Sequence, residues 1–129
     1  MLSLRSSVLL ASRRALSTSA RTGQHLAGTP ELFQKHVVDG SKPVLVDFYA
    51  DWCGPCKMIS PVLEKVVTEE SGFDLMKVDT DAEYELAAKY KIRSLPTIMA
   101  FKNGQVIGQF IGAQPEAGVR KFLEEMKTK

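Results

Sequence analysis

The most constraining feature of this sequence is a short segment that has no polar side. Residues Val44 to Ala50 are apolar at both sets of alternating positions, and Asp47 is the one exception. A strand with two apolar faces belongs in the middle of a sheet, because other elements have to cover both of those faces. The segment therefore predicts a layered α/β fold, in which a central sheet has helices on both sides.

Apolar spacing, capping residues and prolines predict the elements around this strand. Helices are expected over residues 30–38, 53–71, 80–90 and 115–126. Further strands are expected over residues 73–78, 97–102 and 105–111, with room for a short one at 25–26. Because helices separate most of the strands, the crossovers should be right-handed and parallel, and the last two strands should add an antiparallel edge.

Three local signals make this prediction more specific. Pro61 lies inside the second helix, where a proline removes a backbone hydrogen bond and should kink the helix without ending it. The segment Thr80-Asp81-Ala82-Glu83 has the pattern of a capping box, which predicts that the third helix begins there. Asn103-Gly104 is a strong hairpin signal, so the strands on either side of it should be antiparallel.

The only two cysteines, Cys53 and Cys56, lie three residues apart where the central strand gives way to a helix. A thiol in the first turn of a helix faces unpaired backbone N–H groups and the positive end of the helix dipole, which favour its thiolate form. The thiolate is the nucleophile in disulfide exchange, and a second thiol one turn along can reach the mixed disulfide. We expect Cys53 to be the more exposed, attacking thiol and Cys56 to be the more buried, resolving thiol.

Cysteines at this spacing also occur in zinc sites and in structural disulfides. Structural zinc needs four ligands, and the other soft candidates, His25 and His36, lie upstream without a paired spacing. A structural disulfide between residues three apart closes so small a loop that it would stabilise the fold by only about 2 kcal/mol. Both alternatives are weaker than a redox pair, and we expect no metal site.

Several motifs together resemble the thioredoxin family. They are the segment from Asp47 to Lys57, Pro61 in the following helix and, in the same order as in that family, residues 94–97, 101–104 and 111–113. The resemblance covers residues 24 to 129. It implies the thioredoxin fold, with a central mixed sheet of four to five strands and helices on both faces. It also implies a monomeric protein-disulfide reductase that works through a mixed disulfide and holds no bound cofactor.

The resemblance assigns roles to the residues around the cysteine pair. Gly54 and Pro55 would turn the chain tightly into the helix and contribute to a strongly reducing potential. Asp47 should be buried, and burial raises the pKa of a carboxyl group. The matching Asp in the family accepts a proton from the resolving cysteine, here Cys56, and Lys77 on the next strand would be its charge partner. A core Asp47 that backbone hydrogen bonds satisfy remains an alternative.

The resemblance also implies a docking surface for protein substrates around Cys53. Pro96 matches the family's cis-proline, and Leu95 before it would pair through its backbone with an extended substrate. The surface itself would be apolar and uncharged, and its residues would be Trp52, Pro55, Leu95, Pro96, Ile111, Gly112 and Ala113. Such a surface suits broad rather than selective docking of protein disulfides.

The expected partners are an NADPH-dependent thioredoxin reductase and disulfide-containing proteins such as peroxiredoxins. A glutaredoxin is disfavoured, because Gly54-Pro55 replaces the usual Pro-Tyr pair of that family. From another class of protein, the domain could serve mainly as a binding module or regulatory subunit that uses its apolar patch. The thiols would then be incidental.

The first 23 residues differ in composition from the rest of the chain. They contain four arginines, many serines and threonines, and no acidic residue, which is typical of an organelle transit peptide. The apolar run at residues 8–11 is too short for a secretory signal. We expect residues 1–23 to be a transit peptide that is removed on import into the mitochondrial matrix, with the plastid as the alternative. Residues 24–129 would form the thioredoxin domain.

The net charge of +2 comes from this leader. Its four arginines are part of the 17 basic residues of the chain, so the 15 acidic residues outnumber the 13 basic ones that remain. A nucleic-acid-binding domain would need a basic face, and we therefore expect no nucleic-acid partner. No run approaches the roughly 20 apolar residues of a membrane span, so we expect no membrane partner either.

Overall fold

The computed structural model describes residues 21–129, and five strands in this part of the chain form one mixed sheet. The strands are β1 (His25–Ala27), β2 (Val44–Tyr49), β3 (Asp74–Asp79), β4 (Thr97–Lys102) and β5 (Gln105–Ile111). The helices are α1 (Pro30–Phe33), α2 (Gly54–Val66), α3 (Tyr84–Lys89) and α4 (Glu116–Lys127). A π-helical segment (Gln34–Val38) continues α1, and a 3-10 turn (Glu69–Ser71) follows α2.

Strand β2 lies at the centre of the sheet, as its two apolar faces predict. The strand order is β1-β3-β2-β4-β5. On one face of β2, Leu45 packs in a cluster with residues of α2 and α4. On the other face, Val46 and Phe48 pack with residues of α1, its π-helical continuation and α3. The expected α/β architecture, with helices on both faces of a central mixed sheet, is therefore confirmed.

The direction of β4 differs from the parallel crossover that the helix before it predicts. Strands β1 and β2 each pair in parallel with β3, but β4 pairs antiparallel with β2 although α3 precedes it. Helix α3 has six residues and rises only about 9 Å, whereas a parallel return would have to span a strand of about 20 Å. The chain therefore leaves β3 and enters β4 at the same end of the sheet.

Strands β4 and β5 form the predicted antiparallel hairpin. Asn103 and Gly104 make its turn with φ angles of 53° and 80°, the left-handed conformation that a type I′ turn requires. Strand β5 then returns to the end of the sheet where β4 begins, and Ile111 pairs with Thr97. The hairpin thus brings the segment after β5 beside the loop that precedes β4.

The predicted capping box at Thr80 does not begin α3. The helix starts at Tyr84, and the Thr80 hydroxyl instead donates a hydrogen bond to the Tyr49 carbonyl oxygen, at 3.0 Å. The carboxylate of Asp79 accepts hydrogen bonds from the backbone N–H groups of Asp81 and Ala82. The N–H groups that would lie in the first turn of a helix beginning at Thr80 are thus already bonded to Asp79. The helix therefore begins further along the chain.

Helix α2 ends earlier than its apolar pattern predicts. It runs from Gly54 to Val66 and passes through Pro61 without interruption, so the proline does not end it. The kink at Pro61 stays a prediction. Val67 is extended and buried, and Ser71 belongs to a separate turn in which its hydroxyl donates to the Thr68 carbonyl oxygen.

The first described residues bind to the folded domain. The Thr22 hydroxyl donates to the Glu69 carbonyl oxygen at 2.9 Å, and the Gly23 N–H donates to the Phe73 carbonyl oxygen at 2.9 Å. The Gln24 N–H donates to the buried Asp74 carboxylate. The predicted transit peptide lies mostly on residues 1–20, outside the described residues. In the part that is described, no helix is both long and apolar enough to cross a membrane.

Candidate redox site

The cysteine pair lies where β2 ends and α2 begins. Cys53 is the N-cap of α2, with an extended backbone, and its sulfur accepts a hydrogen bond from the Cys56 N–H at 3.2 Å. Cys56 lies in the first turn of the helix, and the two residues form a disulfide with their Cα atoms 5.3 Å apart. The structure is thus that of the oxidised form, and it shows a backbone N–H already directed at the sulfur of the expected nucleophile.

The two cysteines do not differ in exposure as expected, because Cys53 is 4% and Cys56 is 3% exposed. Both side chains pack with Ala50, and Tyr49 and Leu95 cover them. They differ instead in the cavity that each one lines. Cys53 lines an open groove of about 380 Å³, whereas Cys56 lines a smaller cavity of about 170 Å³. The geometry therefore gives the two sulfurs separate surroundings.

We call the larger cavity the docking groove. Its walls include Trp52, Cys53, Gly54, Pro55, Arg93 and Leu95. Four of the predicted docking or tuning residues thus meet at Cys53. The groove is not uncharged, however, because Arg93 comes from the loop between α3 and β4, which the sequence analysis had not connected with the site.

The predicted docking residues at the ends of β4 and β5 lie next to this loop. The Leu95–Pro96 peptide bond is cis, as predicted. The Gly112 N–H donates to the Pro96 carbonyl oxygen at 2.9 Å, which joins the segment after β5 to the cis-proline loop. Ile111 is exposed by 57%, and Ala113 is also exposed. These two residues border the site without lining the groove.

Trp52 extends the surface on the other side of the disulfide. Its side chain is 72% exposed, although tryptophan side chains are highly buried on average in folded proteins. The indole N–H donates to the Asp81 carboxylate at 3.0 Å, and this bond fixes the ring beside Cys53. An exposed, oriented aromatic ring of this kind is suited to contact with a partner.

Gly54 is not required for the chain to turn into the helix, contrary to expectation. Its backbone does not have a positive φ, and a Cβ atom at this position would meet no atom within 4 Å. The missing side chain leaves open space at the wall of the docking groove. Gly112 differs, because its φ of 94° lies in the left-handed region that favours glycine.

We call the smaller cavity the Asp47 cavity. It is lined by Asp47, Cys56, Lys57, Ser60, Lys77 and three residues near the end of β2. Asp47 is 0% exposed, and neither carboxylate oxygen accepts a hydrogen bond from any residue of the described chain. Burial raises the pKa of Asp47 to about 7, while the charge of Lys77 lowers it and that of Glu64 raises it. Asp47 is therefore not satisfied by backbone hydrogen bonds.

Lys77 is not the direct ion-pair partner of Asp47. The two residues are register partners on β3 and β2, but the Lys77 ammonium binds the Glu64 carboxylate at 2.8 Å and the Ser60 hydroxyl. Its charge acts on Asp47 only from a greater distance. Lys77 does not pair with Asp47 because polar side chains of α2 bind its ammonium instead.

Sequence reasoning missed Ser60, Glu64, Asp81 and Arg93. A signal existed for two of them, because Cys56, Ser60 and Glu64 are spaced four residues apart and form one stripe along α2. No sequence pattern connects Asp81 or Arg93 with the cysteines. Both come to the site because the chain stays at one end of the sheet between β3 and β4.

A disulfide at the N-terminus of a helix, beside a cis-proline loop and on a mixed sheet, defines the class of thioredoxin-fold dithiol–disulfide proteins. The family model for thioredoxin matches residues 24–125. Mitochondrial thioredoxin of Bos taurus is 45% identical over 95 residues, which are 73% of this chain and 57% of that protein. Thioredoxin 1 of Nostoc sp. is 42% identical over 98 residues, which are 75% of this chain and 92% of that protein.

Solved structures agree with this result. The thioredoxin of Malassezia sympodialis superposes with a TM-score of 0.71 at 36% identity, over 82% of this chain and 92% of that one. The thioredoxin from Halobacterium salinarum has the same TM-score at 35% identity, over 83% and 94% of the two chains. The chain belongs to the thioredoxin family. Its match spans little more than half the length of the mammalian mitochondrial relatives.

Proposed function

We propose that this protein is a thiol–disulfide oxidoreductase that reduces protein disulfides through Cys53 and Cys56. The observation that carries the proposal is the division of the pair between two cavities. The sulfur of Cys53 accepts a helix N–H and this residue lines the docking groove, while Cys56 lines the cavity of the buried Asp47. Cys53 thus lies at the groove where a partner would dock, and Cys56 lies beside the proposed proton acceptor.

The reaction has two exchange steps. The Cys53 thiolate attacks one sulfur of the substrate disulfide, which forms a mixed disulfide and releases the other substrate sulfur as a thiolate. The Cys56 thiol then loses its proton and attacks the sulfur of Cys53. The substrate leaves with two thiols, and the protein is left with the Cys53–Cys56 disulfide. Two electrons pass from the dithiol to the substrate. Its two thiolates take up protons from solvent, which balance the proton that Cys53 lost on ionising and the proton that Cys56 gives up.

Asp47 is proposed as the proton acceptor for Cys56. Its pKa of about 7 makes it a base that is matched to neutral pH, as general acid–base catalysis requires. The cavity that contains both residues has room for water to carry the proton. Lys77, Gly54 and Pro55 would tune the pair, Lys77 through its charge and the other two through the wall of the docking groove.

The docking groove and its borders are proposed as the substrate surface. The backbone of Leu95 would pair with an extended substrate segment, next to Pro96. Trp52, Ile111, Gly112 and Ala113 would provide apolar contact around it. A surface with few fixed polar contacts favours many protein disulfides over one selected partner.

The partners and location are also part of the proposal. The family resemblance suggests that an NADPH-dependent thioredoxin reductase restores the dithiol, that peroxiredoxins are among the substrates, and that the protein needs no bound cofactor. The arginine-rich, acid-free residues 1–23 and the similarity to mitochondrial thioredoxins support import into the mitochondrial matrix. The monomer remains the expected state.

Serine variants of the two cysteines test the proposal. Cys53→Ser should abolish the reduction of a model protein disulfide, whereas Cys56→Ser should form a mixed disulfide that gel electrophoresis without reductant detects. Catalytic turnover by Cys56→Ser would overturn the assignment of roles. Full biological activity in the double variant would instead favour the binding module.

A further inference from the structure

Lys77 is the lysine whose charge acts on the buried Asp47 carboxylate, yet its ammonium binds elsewhere. Asp47 and Lys77 are register partners on adjacent parallel strands, and both line the Asp47 cavity. A buried carboxylate without a hydrogen bond is costly, so a nearby ammonium should turn towards it unless other contacts hold it. Those contacts are visible on α2.

Two side chains of α2 hold the Lys77 ammonium. It donates to the Glu64 carboxylate at 2.8 Å and to the Ser60 hydroxyl. The Ser60 hydroxyl in turn donates to the same Glu64 oxygen at 3.1 Å, which closes a triangle of polar groups. The hydrogen bond from Lys77 lowers the pKa of Glu64, so Glu64 is ionised at neutral pH and attracts the ammonium.

We propose that Ser60 and Glu64 are positioning residues, which bind the Lys77 ammonium on the α2 side of the Asp47 cavity and so keep it from forming an ion pair with Asp47. This inference rests on the proposed function for its catalytic meaning, but its geometry does not. We call the Ser60–Glu64–Lys77 group the lysine anchor.

The charged and titratable groups around Asp47 come from three directions. Strand β3 contributes Lys77, helix α2 contributes Cys56, Lys57 and Glu64, and the end of β2 with the following turn contributes Tyr49 and Asp51. The neighbour on the fourth side, Ile98 of β4, is apolar. Lys77 and Glu64 are the two whose charges shift the pKa of Asp47, and they act in opposite directions.

Loss of the lysine anchor should weaken Asp47 as a base. If the ammonium moved to the carboxylate, its charge would stabilise the ionised form and lower the pKa of Asp47. A carboxylate with a lower pKa accepts a proton from Cys56 less readily, so the release of the mixed disulfide would slow. The anchor would thus preserve a basic Asp47 despite a lysine one strand away.

The test is an NMR titration of the Asp47 side-chain carboxyl carbon in the oxidised protein, in which neither cysteine titrates. Ser60→Ala changes no charge, yet it should lower the pKa of Asp47 by about half a unit, because an ammonium that Glu64 alone holds can move closer to Asp47. Glu64→Gln should lower it further, since it also removes a negative charge. An unchanged pKa in Ser60→Ala and Glu64→Gln would overturn the proposal.

Two controls separate the anchor from other effects. Glu116→Gln removes the same charge from another carboxylate that binds a lysine, here Lys65 of α2 at 2.9 Å, and should leave the pKa of Asp47 unchanged. In a Lys77→Met background, Ser60→Ala should have no effect on that pKa. A persistent effect there would show that Ser60 does not act through Lys77, which contradicts the proposal.

The rate at which a mixed disulfide is released distinguishes the lysine anchor from the proposed role of Asp47 as proton acceptor. Release of a preformed mixed disulfide at pH 7 should slow in Ser60→Ala and Glu64→Gln in proportion to the pKa shift. A shifted pKa with an unchanged rate would support the lysine anchor and count against Asp47 as the proton acceptor. Urea unfolding of each variant at pH 7 checks that the fold is intact.

Discussion

At the scale of single residues, Asp47 shows how burial changes the chemistry of a common side chain. It lies on the central strand, and its carboxylate is fully buried and accepts no hydrogen bond from residues 21–129. Its folded-state pKa of about 7 lies above the ordinary value of 3.8. The folded protein therefore holds this proton over a pH range in which the unfolded chain has released it.

The first prediction concerns stability against pH. Between about pH 4 and pH 7 the folded state binds more protons than the unfolded state at this site, so stability should fall as the pH rises. The shift corresponds to a loss of up to about 4 kcal/mol, complete above pH 7. Asp47→Ala should remove this dependence.

Urea unfolding of the oxidised protein at pH 4 and at pH 8 measures the effect. From pH 4 to pH 8, the free energy of unfolding of Asp47→Ala should rise relative to that of the original protein. A constant difference at both pH values would contradict a raised pKa for Asp47. The comparison between pH values also cancels the cost of the cavity that alanine leaves behind.

The sequence predicts the cysteine pair and the buried Asp47 because each depends on local pattern. Cys53 at the start of α2 follows from the junction of an apolar strand and a helix, and Asp47 interrupts that strand. The ion pair of Lys77 could not be predicted in this way. A long side chain can reach several groups, and its choice depends on the packing distance between α2 and β3.

At the scale of elements, the connection between β3 and β4 departs most from expectation. Residues 80–83 have the pattern of a capping box, but the Asp79 carboxylate binds the N–H groups that a cap at Thr80 would have used. A short α3 then follows, which cannot carry the chain along the length of the sheet. Capping patterns alone do not include such competition from the preceding residue.

The second prediction compares the two residues that shape this turn. Thr80→Ala removes one hydrogen bond to the Tyr49 carbonyl oxygen and should lower the free energy of unfolding by about 1 kcal/mol, without shortening α3. Asp79→Ala removes the acceptor of two N–H groups and should cost more, by roughly a further 1 kcal/mol.

Urea unfolding ranks the two variants, and amide hydrogen exchange in α3 reports on the helix itself. Faster exchange throughout α3 in Thr80→Ala, with a larger loss of stability than in Asp79→Ala, would instead support a capping box at Thr80. The observed hydrogen bonds predict the opposite order.

At the scale of the whole molecule, the folded domain begins earlier than the sequence indicates. The composition changes after residue 23, but Thr22, Gly23 and Gln24 already bind the segment from Glu69 to Asp74. A Cβ at Gly23 would meet the backbone of this segment within 3 Å, so the approach is close. Composition cannot detect such docking, because it depends on contacts with residues about 50 positions away.

The third prediction follows from these contacts. A chain that begins at His25 should unfold at a lower urea concentration than one that begins at Arg21. It lacks five hydrogen bonds that residues 21–24 make with the rest of the domain, including the one that the Leu75 N–H donates to the Gln24 carbonyl oxygen, and each is worth about 1 kcal/mol or less. The buried Asp74 would also lose an N–H donor, leaving Lys42 at 3.6 Å as its partner. Equal unfolding midpoints for the two chains would show that residues 21–24 do not stabilise the domain.

The direction of β1 has a consequence for access to the disulfide. Because β1 runs parallel to β2 and β3, the chain enters the sheet at the end of the strands opposite to the end that carries the disulfide, about 20 Å from it. No described residue before β2 lines the docking groove, so the approach of a partner to Cys53 does not involve the N-terminal strand.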